Sequence, residues 1–384
     1  MTVMIGITIV VMYLVLLIEF QKQPVYVGQE HLNLQTGRLA HYNFWLYIFL
    51  AISLIFVSGF RYGFVDTPVY RAMFDNVPTE LVILKTEGFD LFKEYGFTFF
   101  MSGLRHISTN SQILLLVTST IIIGVELFLL KKYAFDLPFS FLIFFFMEYV
   151  DSMNGIRQVM VGMLFLLTIP LIRQRRFLPY CLVILLLCTM HVSAIICLPL
   201  YFLVDKRMFH PAMLITIGIV IICYLYPPLI NSLVDTLFGS DSKYATYFDE
   251  AMTGMSTMRL LVQLAPLALL VLYEVRKRLR GLQNQAEPLK YYQIFANLVI
   301  LNAAFSLLAI RLVSLARLSI YVSFGNIILV PYLLYRLFNE RDYRVLKILV
   351  LLAYFFFFVY QLYSYDTGHY LDSIRLIFWE ESAI

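Results

Sequence analysis

Charged side chains are scarce in this sequence. Asp, Glu, Lys and Arg together make up 14% of its 384 residues, whereas hydrophobic residues make up 61%. A typical soluble domain contains about 25% charged residues, so this composition excludes an ordinary soluble domain and indicates a chain that lies mostly in a membrane. The few charges inside apolar sequence are informative, because a charge in hydrocarbon is energetically costly.

Cysteine is also rare, and its spacing matches neither a zinc site nor a disulfide framework. The four cysteines all stand in apolar segments, so we interpret them as small buried side chains; they are Cys181, Cys188, Cys197 and Cys223. The sequence contains no phosphate-binding loop and no dinucleotide fingerprint. We therefore expect no cofactor, no bound metal and no nucleic-acid partner.

Apolar runs of nearly spanning length recur along the whole chain. A membrane span needs about 20 apolar residues, with a range of about 17–25, so the shortest runs must include flanking residues. The runs cover 3–20, 44–59, 112–130, 156–172, 208–227, 258–275, 291–310, 316–335 and 346–364. The pattern predicts an all-α, polytopic integral membrane protein that forms a single transmembrane domain over 1–384.

The distribution of basic residues predicts which loops face the cytoplasm, because Lys and Arg favour cytoplasmic loops. Basic clusters at 131–132, 173–176, 276–280 and 336–347 are placed inside on this rule. Two segments are placed outside by their acids: Asp235 to Glu250, and the tail with Asp366, Asp372, Glu380 and Glu381. Alternation of the spans between these anchors then assigns two extracytoplasmic loops, 60–111 and 229–257. The polar segment from Asp151 to Arg157 and the Arg311–Arg317 turn then also lie outside.

One conflict concerns the apolar run at 179–204, because basic residues flank it on both sides. Thr189 to Ser193 interrupt this run. A re-entrant hairpin with His191 near its tip resolves the conflict, although it places non-helical backbone in the membrane, where protein or a wet cavity must surround it. The prediction is about ten transmembrane helices plus this hairpin.

The segment Asp151-Ser-Met-Asn154-Gly-Ile-Arg157-Gln158 is the most unusual polar sequence, since apolar runs precede and follow it. An arginine costs roughly 2.5–3.5 kcal/mol at the bilayer centre, and its guanidinium suits an anionic ligand. Asp151, Ser152 or Asn154 is expected to cap the helix that follows, whose N-terminus favours phosphate. The alternative is that Arg157 only reaches to the interface and Asn154 only caps.

The outer loop 60–111 mixes aromatic residues with acids, and short helices on or in the membrane surface are expected in it. Asp66 precedes Tyr70, and Glu94 precedes Tyr95. Aromatic rings stack on sugar CH groups while carboxylates accept hydrogen bonds from hydroxyls. The loop is therefore a candidate sugar-binding surface; the alternative is a solvated loop with ordinary surface charges.

Further polar residues stand at the predicted outer rim. His191 is either a hydrogen-bonded structural residue or a general base, and Glu148 and Asp151 are alternative bases. Arg311 and Arg317 are basic residues on the outer side, where the charge bias disfavours them. Together with Arg157 they predict a pyrophosphate clamp, unless their role is only interfacial.

The order of these motifs resembles the EpsG branch of the Wzy-type polysaccharide polymerases. The pattern comprises Asp66-x-x-x-Tyr70, Glu94-Tyr-Gly-Phe97, Asn154-Gly-Ile-Arg157-Gln158, His191-x-Ser-Ala194 and an arginine-bearing segment that ends at Tyr321. The resemblance extends over nearly the whole chain. One departure is Phe64-Val-Asp66, where such families often have Gly-Thr-Asp.

This resemblance implies a membrane glycosyltransferase with a GT-C-like helical bundle and an extracytoplasmic cavity, in the bacterial plasma (inner) membrane. Its implied activity joins oligosaccharide repeat units carried on undecaprenyl pyrophosphate into a capsule, exopolysaccharide or O-antigen chain. The implied partners are that lipid-linked oligosaccharide, the lipid bilayer and a chain-length regulator.

The candidate site residues fall into two groups. Asp66, Glu94 and His191 are the catalytic candidates, which would take the proton of the acceptor hydroxyl. The candidates for binding sugar or pyrophosphate are Tyr70, Tyr95, Asn154, Arg157, Gln158, Ser193, Arg311, Arg317 and Tyr321.

Two other functional classes remain as alternatives. A flippase or transporter of lipid-linked oligosaccharide predicts polar residues through the membrane depth and an internal repeat, whereas the unusual polar residues here mostly map to the outer side and no repeat is evident. The other class comprises related GT-C glycosyltransferases and glycan ligases. The first outer loop lacks the Asp-Asp or Asp-x-Asp pair typical of metal-using GT-C enzymes, and the late outer loops are shorter than those of a typical ligase.

Overall fold

The computed structural model describes residues 2–20, 44–77, 94–208, 210–226, 228–229, 255–282, 287, 289–311 and 313–367. Helices dominate these ranges, which confirms the predicted all-α class. Most of the predicted outer loop 229–257 and residues 78–93 of the loop 60–111 lie outside the described residues. The predicted short helices of the loop 60–111 are present at Thr67–Asp75 and Tyr95–Ile107.

The α-helices follow the apolar runs of the sequence, and all nine runs contain helix. In chain order they are α1 Thr2–Phe20, α2 Phe44–Gly59, α3 Thr67–Asp75, α4 Tyr95–Ile107, α5 Gln112–Tyr133, α6 Leu137–Met147, α7 Ile156–Leu166, α8 Ile169–Arg173, α9 Phe177–Met190, α10 Cys197–Leu203, α11 Pro211–Leu225, α12 Thr257–Leu279, α13 Tyr292–Leu308, α14 Phe324–Leu337 and α15 Glu340–Thr367.

Only some of these helices are long enough to cross a bilayer alone. By length and hydropathy four candidate spans stand out in the described ranges: Gln112–Tyr133, Ile156–Arg173, Thr257–Leu279 and Glu340–Tyr365. The predicted run 316–335 is not one straight helix, because Leu315–Tyr321 and Phe324–Leu337 meet at a bend of 63°. Shorter apolar helices of 10–17 residues make up the other runs.

The chain divides into two compact units. The first contains Met1–Leu167, Thr189–Val192 and Val345–Ile384, and the second contains Thr168–Cys188 and Ser193–Arg344. In the first unit α5 packs against α2 and α7, while α6 packs against α1 and α5. Buried phenylalanines join α6 to α15, with the ring centroids of Phe145 and Phe146 at 5.3 and 5.7 Å from that of Phe358.

Polar contacts mark the two ends of the first unit. At one end Lys347 Nζ lies 2.8 Å from Asp136 Oδ2, so Lys347, the last residue of the predicted inner cluster 336–347, lies close to the helix end that carries the cluster at 131–132. At the other end the Tyr365 hydroxyl donates to Asp151 Oδ1 at 2.7 Å. Within this unit the structure therefore groups the loops as the predicted topology does.

A buried arginine fixes the outer-loop end of the first unit. Arg61 is fully buried; its Nε donates to Thr67 Oγ1 at 2.9 Å, and its Nη2 donates to the Met153 carbonyl at 3.1 Å. Another bond runs from Nη1 to the Ser58 carbonyl. Burial lowers the pKa of Arg61 to about 10, so the guanidinium stays cationic at neutral pH. Arg61 thereby ties the end of α2 to the turn before α7.

In the second unit α12, α13 and α14 pack together, and α11 packs against α13. One amide from each of the first three helices meets in the interior: Asn302 Nδ2 and Asn326 Nδ2 donate to Gln263 Oε1 at 2.8 and 3.2 Å. Such contacts hold membrane helices together. Gln263 and Asn326 stand near the starts of their helices and Asn302 stands in the second half of its own, so the amides lie towards the ends that the predicted topology places outside.

In the second unit, residues 177–188 of α9 and helix α10 fold back on each other as the two arms of a hairpin, and Thr189–Val192 between them are counted with the first unit. The ring of Phe177 lies 5.1 Å from that of Tyr201 and 5.3 Å from that of Phe202. A straight helix would separate Phe177 and Phe202 by about 37 Å, at 1.5 Å per residue, so the chain must reverse between them. Arg173 and Asp205 close the open end of the hairpin with an ion pair of 3.0 Å.

The hairpin makes a topological prediction for Arg173 and Asp205. Single cysteines that replace them in a background without the native cysteines should react with a membrane-impermeant maleimide from the same side of the membrane. A chain that crossed the membrane between these positions would be labelled from opposite sides, which would contradict the hairpin. Cysteines at Asn110, just before the span Gln112–Tyr133, and at Lys131, in its last turn, are the control pair and should be labelled from opposite sides.

Candidate active site

Glu94 is the centre of a charged cluster in the first unit. It immediately precedes α4, has a left-handed backbone (φ 54°) and is 4% exposed. Its Oε2 lies 2.9 Å from Arg157 Nη1, and its Oε1 lies 2.7 Å from His191 Nδ1. The same Oε1 accepts the Val192 N–H at 3.1 Å. One carboxylate therefore joins three chain segments that are far apart in the sequence.

Burial makes these contacts mutually dependent. A buried carboxylate is tolerated when it is paired and hydrogen-bonded, and removal of one partner from a buried ion pair costs about 3–5 kcal/mol. A non-glycine residue in the left-handed region costs a further 1–3 kcal/mol or so. The contacts of its carboxylate therefore hold Glu94 in a backbone conformation that glutamate does not prefer.

Arg157 is oriented on two sides and keeps unused hydrogen-bonding capacity. It lies in the first turn of α7, and its guanidinium carbon is 5.3 Å from the centre of the Phe97 ring, a cation–π distance. Arg157 Nε and Asn154 Oδ1 are buried and have no hydrogen-bond partner within the described residues. The charged cluster and the turn before α7 thus each contain a buried polar atom that makes no hydrogen bond within the described residues.

The start of α7 is built differently from the sequence prediction. Its N-cap is Gly155, whose φ of 58° suits a residue without a Cβ, and no side chain caps the helix. The prediction that Asp151, Ser152 or Asn154 caps it was wrong, because a 3-10 turn at Asp151–Met153 directs the first two elsewhere.

Asp66 reaches this helix start from a distant segment. Its Oδ2 accepts the Gly155 N–H at 3.2 Å, so Asp66 holds the backbone that positions Arg157. This contact assigns Asp66 a positioning contribution in addition to its predicted candidacy as a base.

Predicted aromatic and amide residues surround the cluster. Tyr70, Tyr95 and Gln158 are buried, and the Tyr70 ring lies 6.2 Å from that of Phe97. The structure therefore places the Tyr70 ring against the Phe97 ring that supports Arg157. Phe97 belongs to the predicted motif Glu94-Tyr-Gly-Phe97, but the motif contains no signal for this contact with Arg157.

Other predicted residues lie in the second unit. The Ser193 and Tyr321 hydroxyls are 2.7 Å apart, so the structure brings this predicted pair together. Arg311 and Arg317 are exposed, and the guanidinium carbon of Arg311 is 4.8 Å from the centre of the Tyr224 ring. The three-arginine clamp remains a prediction, because Arg157 belongs to the first unit.

In the described ranges no three His, Cys, Asp or Glu side chains are grouped as metal ligands.

Gly96 allows the first turn of α4 to approach the hairpin tip. A Cβ at this position would lie 2.9 Å from the backbone carbonyl carbon of Thr189, two residues before His191. Any side chain there would push the tip away from Glu94. The sequence signal for this role is only a glycine between Tyr95 and Phe97, which does not reveal its neighbour.

We therefore expect Gly96→Ala to weaken the fold around the tip. Overpacking of this kind typically costs about 1–3 kcal/mol, which the thermal unfolding midpoint of the purified protein will detect. Gly103→Ala in the same helix is the matched control, because a Cβ there meets nothing within 4 Å. It should leave stability unchanged or raise it by about 0.5–1 kcal/mol. Equal effects of the two changes would refute the close approach.

Comparison with known proteins identifies the family of the chain. A sequence model of the EpsG family matches residues 44–372, a range that includes every predicted site residue. No curated protein and no solved structure matches the chain. The resemblance predicted from the motifs is thereby confirmed. The chain belongs to the EpsG family of Wzy-type polymerase-like membrane proteins, which supports a role in polysaccharide biosynthesis.

Proposed function

We propose that this protein is a polymerase that joins oligosaccharide repeat units carried on undecaprenyl pyrophosphate into a cell-surface polysaccharide. The observation that carries the proposal is the Glu94 cluster, in which one buried carboxylate holds Arg157 and His191 within 3 Å. An anion-binding guanidinium and a titratable base are the two groups that such a transfer needs. Family membership supports the same reaction class.

Arg157 is assigned to the pyrophosphate of the lipid-linked donor. A guanidinium forms strong, directional bonds to phosphate oxygens, and the buried Nε of Arg157 has donor capacity to spare. The N-terminal end of α7 adds a positive dipole next to it. Arg311 and Arg317 keep the phosphate-binding role predicted from the sequence, because a guanidinium stabilises charge that develops on a leaving group.

His191 is assigned as the general base. Because Glu94 holds Nδ1 at 2.7 Å, proton exchange with a substrate would take place at Nε2, as in other carboxylate–histidine pairs. The acceptor hydroxyl oxygen attacks the anomeric carbon, its proton passes to His191, and the bond from that carbon to pyrophosphate breaks. The lipid pyrophosphate then leaves as the free anion. Both Glu94 oxygens are engaged, so Glu94 acts as a positioning residue in this scheme.

The proposal includes a location. The site would face the outside of the bacterial plasma membrane, in a GT-C-like bundle of about ten spans in which shorter apolar helices supplement the four long ones. The grouping of basic clusters at one end of the first unit and Asp151 at the other supports this orientation. The bilayer, the lipid-linked oligosaccharide and a chain-length regulator are the partners that it implies.

Complementation of a deletion strain tests the reaction. Arg157→Ala and His191→Ala should each stop lengthening while a single repeat unit is still exported, since loss of a general base lowers rates by about 10²–10⁴-fold. Surface polysaccharide length on a gel is the measurement. Arg157→Lys should restore only part of the length, because an ammonium keeps the charge but loses the planar donor fork.

The control for this experiment is Arg341→Ala, which removes an exposed arginine outside the cluster and should leave polymer length normal. Membrane levels of all variants are compared so that loss of protein is not mistaken for loss of activity. Normal polymer length with both Arg157→Ala and His191→Ala would exclude the proposed roles. Loss of single-unit export in the deletion strain would favour a flippase instead.

A further inference from the structure

A basic cleft lies in the second unit, remote in sequence from the residues of the Glu94 cluster. It is formed by the C-terminal part of α12, by Leu282 and Glu287 after this helix, and by the end of α14. The residues that line it are Tyr273, Arg276, Lys277, Arg280, Leu282, Glu287 and Arg336. Four of these side chains are cationic and one is anionic, so the described lining carries a formal charge of +3.

The single carboxylate is held by a specific scaffold. Glu287 accepts hydrogen bonds from the hydroxyls of Tyr273, at 2.9 and 3.0 Å, and of Tyr332, and it forms an ion pair with Lys277. Lys277 and Glu287 are 11% and 10% exposed. The Glu287 carboxylate is therefore already bound by Lys277, Tyr273 and Tyr332.

The arginines are placed by contacts other than an ion pair. Arg276 Nη1 donates to the Leu337 carbonyl at the end of α14, and Arg336 Nε lies 3.4 Å from the Tyr273 hydroxyl. Arg280 and Arg336 are exposed. Guanidinium groups from two helices thus border one concavity, and the one carboxylate of its described lining is already paired with a lysine.

A purely topogenic role would explain why bases occur here, because basic residues orient membrane helices. It does not require a nearly buried lysine–glutamate pair, and it does not require three tyrosine rings with centroids 5.8–6.4 Å apart around that pair. A rigid, concave set of arginines is what recognition of a phosphate group requires. Basic pockets between membrane helices are known to bind anionic lipid headgroups.

We propose that this cleft is a binding site for a phosphate-bearing anion, with Arg280 and Arg336 as its main ligands. The phosphate belongs either to an anionic phospholipid headgroup or to a soluble diphosphate, and both present the same oxygens to the guanidinium groups. Binding joins α12 to α14 and stabilises the second unit. Neither arginine belongs to the Glu94 cluster, so the proposal is independent of the proposed polymerase reaction.

Binding to the purified full-length protein tests the site with two probes. The first is inorganic diphosphate added to protein in detergent, and the second is nanodiscs of phosphatidylglycerol compared with nanodiscs of phosphatidylcholine. A saturable rise in the thermal unfolding midpoint is the expected signal. A rise with phosphatidylglycerol alone assigns the site to a lipid headgroup, and a rise with diphosphate assigns it to a soluble phosphate.

Substitutions make the test specific. The double change Arg280→Gln and Arg336→Gln should weaken the response about tenfold in apparent Kd, and Arg336→Lys should retain part of it. Arg278→Gln is the matched control, because it removes an exposed arginine from the same helix turn without touching the cleft. The absence of a response to either probe, or an equal loss in the control, would overturn the proposal.

Discussion

The buried carboxylate of Glu94 is the constraint on which the proposed active site depends. It holds the first turn of α7 through Arg157 and the hairpin tip through His191 and the Val192 amide. An unpaired charge in this environment is costly, so the three segments adopt their positions together. The neighbouring contacts serve the same arrangement: Asp66 holds Gly155, and Arg61 holds Met153.

Much of the fold was predictable because apolar length is a strong signal. All nine predicted runs contain helix, and the hairpin deduced from conflicting basic clusters is present as two helices that fold back between Phe177 and Phe202. Geometry within the runs was not predictable. The bend of 63° between Leu315–Tyr321 and Phe324–Leu337 and the amide cluster around Gln263 arise from packing that no residue spacing records.

The candidate site shows the same division. Residue chemistry singled out Glu94, Arg157 and His191, because charged or titratable side chains beside apolar runs require an explanation, and the structure joins these three. The chemistry of the residues did not reveal which of them position another residue of the site. Asp66 contacts a backbone amide, and the basic residues at 276–280 and 336, predicted only as cytoplasmic anchors, line a shaped cleft. Such roles depend on contacts between distant segments, which the order of residues in the sequence does not show.

Reconstitution tests the central claim most directly. Purified protein in vesicles that contain undecaprenyl-pyrophosphate-linked repeat units should produce a ladder of longer glycans without any nucleotide sugar. Glu94→Gln should abolish the ladder while the protein still inserts in the membrane, because the amide cannot hold both the guanidinium and the imidazole as a carboxylate does. A full ladder from Glu94→Gln, or no ladder from the unaltered protein, would contradict the account.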